Sequence, residues 1–117
     1  MKIAISTSGK ENDSLLDMRF GRSEYFHIHD TESGEVKIVE NKGKLSSAGA
    51  GIAASQQLIN EKTDVIITGN LGPNAFELIE KAKIKAYKCD SVPINTVLQM
   101  YNNGELNEID LAGPAHH

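Results

Sequence analysis

Hydrophobic and polar positions change period several times along the chain, and each period predicts an element. From Lys2 to Thr7, Met1, Ile3 and Ile5 alternate onto one face with Ala4 on the other, the period of two that marks a strand. Tyr25 to Asp30 and residues 36–41 repeat that period on either side of Thr31-Glu32-Ser33-Gly34, and together they read as a hairpin. A small-residue helix is expected over 48–60. Val65 to Thr68 is a β-branched strand that enters Gly69-Asn70-Leu71-Gly72. The helix that follows, over 73–82, opens on Pro73 and places Ala75, Leu78, Ile79 and Ala82 at i, i+3, i+4, i+7. Residues 84–89 read as a fifth strand, with Lys85 and Lys88 suited to guarding a sheet edge. A last helix opens near Val92-Pro93, turns Ile94, Val97, Leu98 and Tyr101 inward, and stops at Asn102-Asn103-Gly104.

Short connections make the hairpin antiparallel to the first strand, and right-handed crossovers put strand four beside strand one and strand five outside it. The expected fold is α/β: a ribonuclease-H-like three-layer arrangement, with a mixed five-stranded sheet of order 3-2-1-4-5 and helices on both faces. Residues 1–111 form one domain in this reading, and 112–117 a flexible, histidine-bearing tail.

Composition narrows the function classes. With 117 residues the chain can bury roughly two-thirds of its unfolded surface. A formal charge of -4, with lysine and arginine scattered, argues against a nucleic-acid partner. No apolar run approaches the ~18 residues of a membrane span, and the N-terminus is too strand-like for a signal peptide, so a cytoplasmic location is expected. One cysteine, Cys89, excludes an internal disulfide.

Candidate chemistry gathers where strands one and four end. In an open α/β sheet, ligands bind outside the strand C-termini. The loop Ser6-Thr7-Ser8-Gly9-Lys10 and the loop Gly69-Asn70-Leu71-Gly72 would line that crevice with hydroxyls, backbone N–H groups and an ammonium, which suits an anion. Strand-ending glycines and serines of an ordinary α/β protein would look the same. The run Asp17-Met18-Arg19-Phe20-Gly21-Arg22 fits either an anion clamp or a loop anchored by Phe20, with Asp17 paired to an arginine. Gly49 and Gly51 open a helix although glycine costs it about 1 kcal/mol relative to alanine; close packing or room for a ligand would explain them.

Metal ligands are sparse. His27 and His29 share one strand face, where a solvated surface is a better reading than a metal site. Cys89, at the end of strand five, should point toward the crevice, and His116 and His117 lie at the far end of the chain. A cluster held by this chain alone would want about four thiolates. Catalysis finds no support either. The first strand carries no acid, as a two-metal nuclease would require, and neither Ser6, Ser8 nor Cys89 has a histidine base at motif spacing.

Taken in order, Asp17-x-Arg19-Phe20-Gly21-Arg22, Tyr25-Phe26, Gly49-Ala50-Gly51, Val65-Ile66-Ile67-Thr68-Gly69 and Gly72-Pro73-Asn74-Ala75 resemble the dinitrogenase iron–molybdenum cofactor biosynthesis family, the NifX-like proteins and the C-terminal part of NifB. The resemblance implies a ribonuclease-H-like fold without nuclease activity and transient binding of an iron–sulfur or iron–molybdenum cofactor precursor. It marks Arg19, Phe20, Gly21, Arg22, Gly49, Gly51, Gly69, Asn70, Gly72 and Asn74 as binding positions, with Ser6 and Ser8 beside them from the crevice geometry. Cys89, His116 and His117 are the metal-ligand candidates. The expected protein is a non-catalytic carrier whose partners are an anionic cluster and the metalloproteins that assemble or receive it. The rival readings are an enzyme or binding module for a small phosphorylated ligand, and an interaction module that docks a metalloprotein.

Overall fold

The computed structural model describes residues 1–47 and 49–113. The strands are β1 (Lys2–Thr7), β2 (Tyr25–Asp30), β3 (Val36–Glu40), β4 (Val65–Thr68), β5 (Lys85–Lys88) and β6 (Asn107–Glu108). The helices are α1 (Ala50–Asn60), α2 (Pro73–Lys81) and α3 (Ile94–Asn102), with a 3-10 turn at Lys42–Leu45. The strands form one mixed sheet of order β3-β2-β1-β4-β5-β6. β1 pairs in parallel with β4, and β4 with β5, whereas β2, β3 and β6 run antiparallel to their neighbours.

Five strands take the expected order, and the sixth is a correction. β6 comes from the polar segment after α3, whose two paired residues carry no apolar alternation to betray it. Its pairing of Glu108 with Tyr87 and Asn107 with Lys88 covers the C-terminal half of β5, so Lys88 does not guard an open edge.

Alternation along each strand divides the core. Ala4, Phe26, Ile28, Ile66 and Ala86 face α1 and α2, where they meet Ala54, Leu58, Ala75 and Ile79. Ile3, Ile5, Val65 and Ile67 face the other way and meet Ile94 and Val97 of α3. Helices therefore cover both faces, and burying each aliphatic side chain contributes about 1.5–3 kcal/mol.

His27 and His29 lie on the same side as their partners Ile5 and Ile3. The expected solvated face is overturned there. His27 is 1% exposed, and its Nε2 donates to the Gly9 carbonyl at 2.8 Å. His29 is half-buried, and its Nε2 is enclosed without a partner among the described residues. Burial depresses the basicity of both rings.

Candidate functional site

The C-terminal end of β1 is closed rather than open. Segment 14–17 is stitched across it: Asp17 N–H donates to Ser6 O at 2.8 Å, Ser8 N–H to Leu15 O at 3.1 Å, and Leu16 N–H to Val92 O at 3.0 Å. Ser6 is fully buried, and its hydroxyl contacts Asp17 O and Thr68 Oγ1, each at 2.7 Å. Ser6 is thus enclosed, and neither Ser6 nor Ser8 is among the residues that line the open cleft. Both atoms of Ser6 that a ligand would need already bond the chain that closes over them.

The open cleft lies one layer over, on the α1/α2 side. It encloses about 340 Å³ and is lined by residues 19–22, Ser47, residues 49–52, Asn70 and residues 72–75. Ten of the twelve expected binding residues come together here: Arg19, Phe20, Gly21, Arg22, Gly49, Gly51, Asn70, Gly72 and Asn74 line the cleft, while Gly69 stands behind it. A side chain at Gly69 would run into Met18, so glycine lets the 17–22 loop lie directly on the β4 turn.

Two helices begin at this cleft. Gly49 precedes α1 with a left-handed φ of 74°, and Gly72 precedes α2; neither helix has a side-chain cap or an acidic residue in its first turn. The first intrahelical bonds are Ala53 N–H to Gly49 O and Phe76 N–H to Gly72 O. The N–H groups of Ala50, Gly51 and Ile52, and of Asn74 and Ala75, therefore have no acceptor within their helices. Pro73 has no N–H to satisfy. The positive ends of two helix dipoles add to these donors. Glycines also bring the walls together. A Cβ on Gly21 would stand 2.8 Å from Gly51 N, and one on Gly51 would stand 3.2 Å from Ala75 Cβ.

The two arginines are held differently. Arg19 makes a bidentate pair with Asp17, Nε to Oδ1 at 3.2 Å and Nη2 to Oδ2 at 3.1 Å, which raises its basicity and offsets its charge. Arg22 is half-buried and donates from Nη1 to the Ser46 carbonyl at 2.7 Å, a neutral acceptor that leaves its charge to the cleft. Phe20 is 3% exposed and packs on Phe26 with ring centroids 5.5 Å apart, so it forms the cleft floor and an anchor in the core at once. Phe20 and the Asp17–Arg19 pair fix the loop in the core, and Arg22 lines the cleft beside them.

Cys89 does not reach this cleft. Its thiol is buried among Ile3, Ile67, Ile94 and Val97 on the α3 side, and burial pushes its pKa up, with Asp90 adding to the effect. A buried, protonated thiol is a poor metal ligand. His116 and His117 lie outside the described residues. Among the described residues, no group of three or more histidine, cysteine, aspartate or glutamate side chains is placed to hold a metal ion.

Five lining residues, Ser47, Ala50, Ile52, Pro73 and Ala75, are not among the binding positions expected from the sequence. Ser47 lines the cleft beside Ser46, whose carbonyl accepts from Arg22 across a long stretch of chain. Ile52 was legible as the third residue of a helix whose first turn was already suspected. Asn41 was also missed. It reads as the last residue of a strand, yet it is fully buried and donates from Nδ2 to Phe20 O and Ser23 Oγ, both at 3.0 Å, while Oδ1 accepts from Gly43 N–H at 2.8 Å.

Known proteins share this architecture. The chain is 29% identical over 113 residues to the Methanocaldococcus jannaschii protein MJ0580, covering 94% of this chain and 92% of that one. The apo form of the orange protein from Desulfovibrio gigas superposes with a TM-score of 0.87 at 32% identity, over 98% of this chain and 96% of that one. A putative NifB protein from Thermotoga superposes with a TM-score of 0.85 at 31% identity, over 98% of both chains. The family model described as dinitrogenase iron-molybdenum cofactor matches residues 1–104, and the chain belongs to that family.

Proposed function

We propose that this protein is a non-catalytic carrier that holds a preassembled anionic metal cluster, an iron–sulfur or iron–molybdenum cofactor precursor, in the cleft between the α1 and α2 N-termini. One observation carries the reading: two uncapped helix N-termini and Arg22 converge on a cleft whose described lining contains no carboxylate, imidazole or thiol. Such a lining binds by hydrogen bonds and charge rather than by coordination. It suits an anion whose metals are already satisfied by their own sulfide or oxide, and it lets that cargo leave intact. The family assignment supports the choice of cargo, and we read the sheet as a ribonuclease-H-like frame whose acid-free β1 has no nuclease chemistry. The described lining also holds no general base, which favours carriage over turnover on a phosphorylated ligand. Partners in this reading are the metalloproteins that supply and receive the cluster.

Anaerobic reconstitution with iron, sulfide and molybdate, followed by gel filtration, metal analysis and absorption spectroscopy, tests it. Stoichiometric, salt-sensitive metal uptake is expected. A charge-assisted hydrogen bond contributes about 1.5–3 kcal/mol, so Arg22→Ala should weaken uptake by roughly tenfold to a hundredfold with little change in melting temperature. Sub-stoichiometric iron that Arg22→Ala leaves unchanged sinks the proposal.

A further inference from the structure

Asn41 is buried completely and does not itself line the cleft, yet the hydrogen bonds of its side chain tie the cleft-lining 17–22 loop to the 3-10 turn behind it. Its Nδ2 holds the carbonyl of Phe20, in the middle of the 17–22 loop, and the hydroxyl of Ser23 just beyond it. Its Oδ1 holds Gly43 N–H and so caps the 3-10 turn, while its own N–H donates to Glu24 O at 3.0 Å. Both amide protons and the carbonyl oxygen are used, so no other side chain of this size satisfies all three partners.

The turn that Asn41 caps decides where Arg22 sits. Gly43 lies so close to Gly21 O and Ala50 O that any side chain there would collide with both backbones. Ser46 N–H closes the turn on Gly43 O at 3.0 Å, and Ser46 O is the acceptor of the Arg22 guanidinium at 2.7 Å. Gln57 clamps the turn from the other side, accepting from Lys42 N–H at 2.9 Å and donating to Glu40 O at 2.7 Å. A chain of short contacts therefore runs from Asn41 through Gly43 and Ser46 to the Arg22 guanidinium. Ser6 plays the matching part at the other end of the loop, through Asp17 O.

We infer that Asn41 is a positioning residue for the anion cleft: it sets the place of the Arg22 guanidinium without touching the ligand. The inference rests on the carrier reading for its functional meaning, but its structural half is independent of any ligand. The observation behind it is a fully satisfied buried amide joining the cleft-lining 17–22 loop to the 3-10 turn that leads to Ser46, the acceptor of Arg22. A buried network of this kind specifies one geometry, and losing one member leaves the others unpaired.

Two measurements on the full chain separate this role from general stability. In the unliganded protein, the Arg22 side-chain nitrogen resonances should be dispersed in the wild type. They should collapse toward free-arginine positions in Asn41→Ala, and return partway in Asn41→Asp, which keeps the acceptor for Gly43 N–H. With inorganic pyrophosphate as the anionic probe, Asn41→Ala should bind at least tenfold more weakly. The double variant Asn41→Ala/Arg22→Ala should bind no worse than Arg22→Ala alone, since both changes act on one group. Val97→Ala, in the α3-side core, is the control: it lowers the melting temperature and leaves the affinity unchanged. Additive losses in the double variant, or Arg22 resonances unmoved by Asn41→Ala, overturn the inference. If Asn41→Ala does not fold, Ser23→Ala removes a single partner and should shift the same resonances by a smaller amount; no shift also overturns it. Wild-type protein that binds no anion, with Arg22 still moved by Asn41→Ala, would defeat the carrier reading and leave the positioning intact.

Discussion

Arg22 matters more than Arg19 because of what each is tied to. The guanidinium of Arg19 is spent on Asp17, whereas Arg22 leans on a carbonyl and keeps its charge for the cleft. At the same scale, His29 has an enclosed ring nitrogen with no partner among the described residues, and burial lowers its basicity, with neighbouring His27 adding to the effect. The folded protein therefore takes a proton on these rings less readily than the unfolded chain, whose histidines titrate near the ordinary value of 6.5. Stability from this source is complete above that pH and is lost as pH falls below it. Thermal melts at about pH 7.5 and about pH 5.5 should show the lower midpoint in acid, given the ordinary histidine range. His29→Leu should flatten the difference and cost little at neutral pH, since it removes an unpaired group from an enclosed place. An equal acid loss in that variant would clear His29 of the effect. The sequence showed the two histidines on one face but not which cover lay over it. That was decided by the loop carrying Gly9, which supplies His27 with its acceptor.

Among elements, the helices that open the cleft were legible and the segments that close around it were not. Pro73 behind Gly72, and Gly49 with Gly51, announced two helix starts in which ordinary caps were missing. The 3-10 turn at Lys42–Leu45 had no such signal, because its geometry comes from Asn41 and Gln57 gripping it from opposite sides. Gly43 is the contact point of that turn with two other backbones. Gly43→Ala should therefore destabilise the protein by about 1–3 kcal/mol, as overpacking does, and calorimetric or denaturant unfolding reads it directly. Loss well below that range would mean the turn moves aside freely. β6 was equally hidden, since Asn107 and Glu108 are polar and exposed. Its place follows from Ile109, which packs against the α1/α2-side core and donates its N–H to Ala86 O at 2.7 Å.

For the whole molecule, a net charge of -4 would repel the anionic cluster proposed for the cleft. Attraction must come from local donors, the two helix ends and Arg22, so it should be short-ranged and weakened by salt. A bound anion should also stabilise the fold by mass action, by about 2.7 kcal/mol at a hundred times the dissociation constant. Pyrophosphate or reconstituted cluster should thus raise the melting temperature at low ionic strength, and the rise should shrink in concentrated sodium chloride. A rise that salt does not touch would point to apolar binding instead. No helix among the described residues is long and apolar enough to cross a membrane. By itself the sequence determined the three helices, the two faces of the core and five of the six strand positions, and the family resemblance marked nine of the residues that line the cleft. Periodicity, handedness and helix-start chemistry are local properties, or follow from local ones. Only the tertiary structure decided that segment 14–17 closes the end of β1, that Ser6 and Cys89 are buried away from the cleft, and that Asn41 ties the 17–22 loop to the 3-10 turn. Those outcomes depend on which distant backbone groups meet, and a pattern of hydrophobic and polar positions does not carry that information.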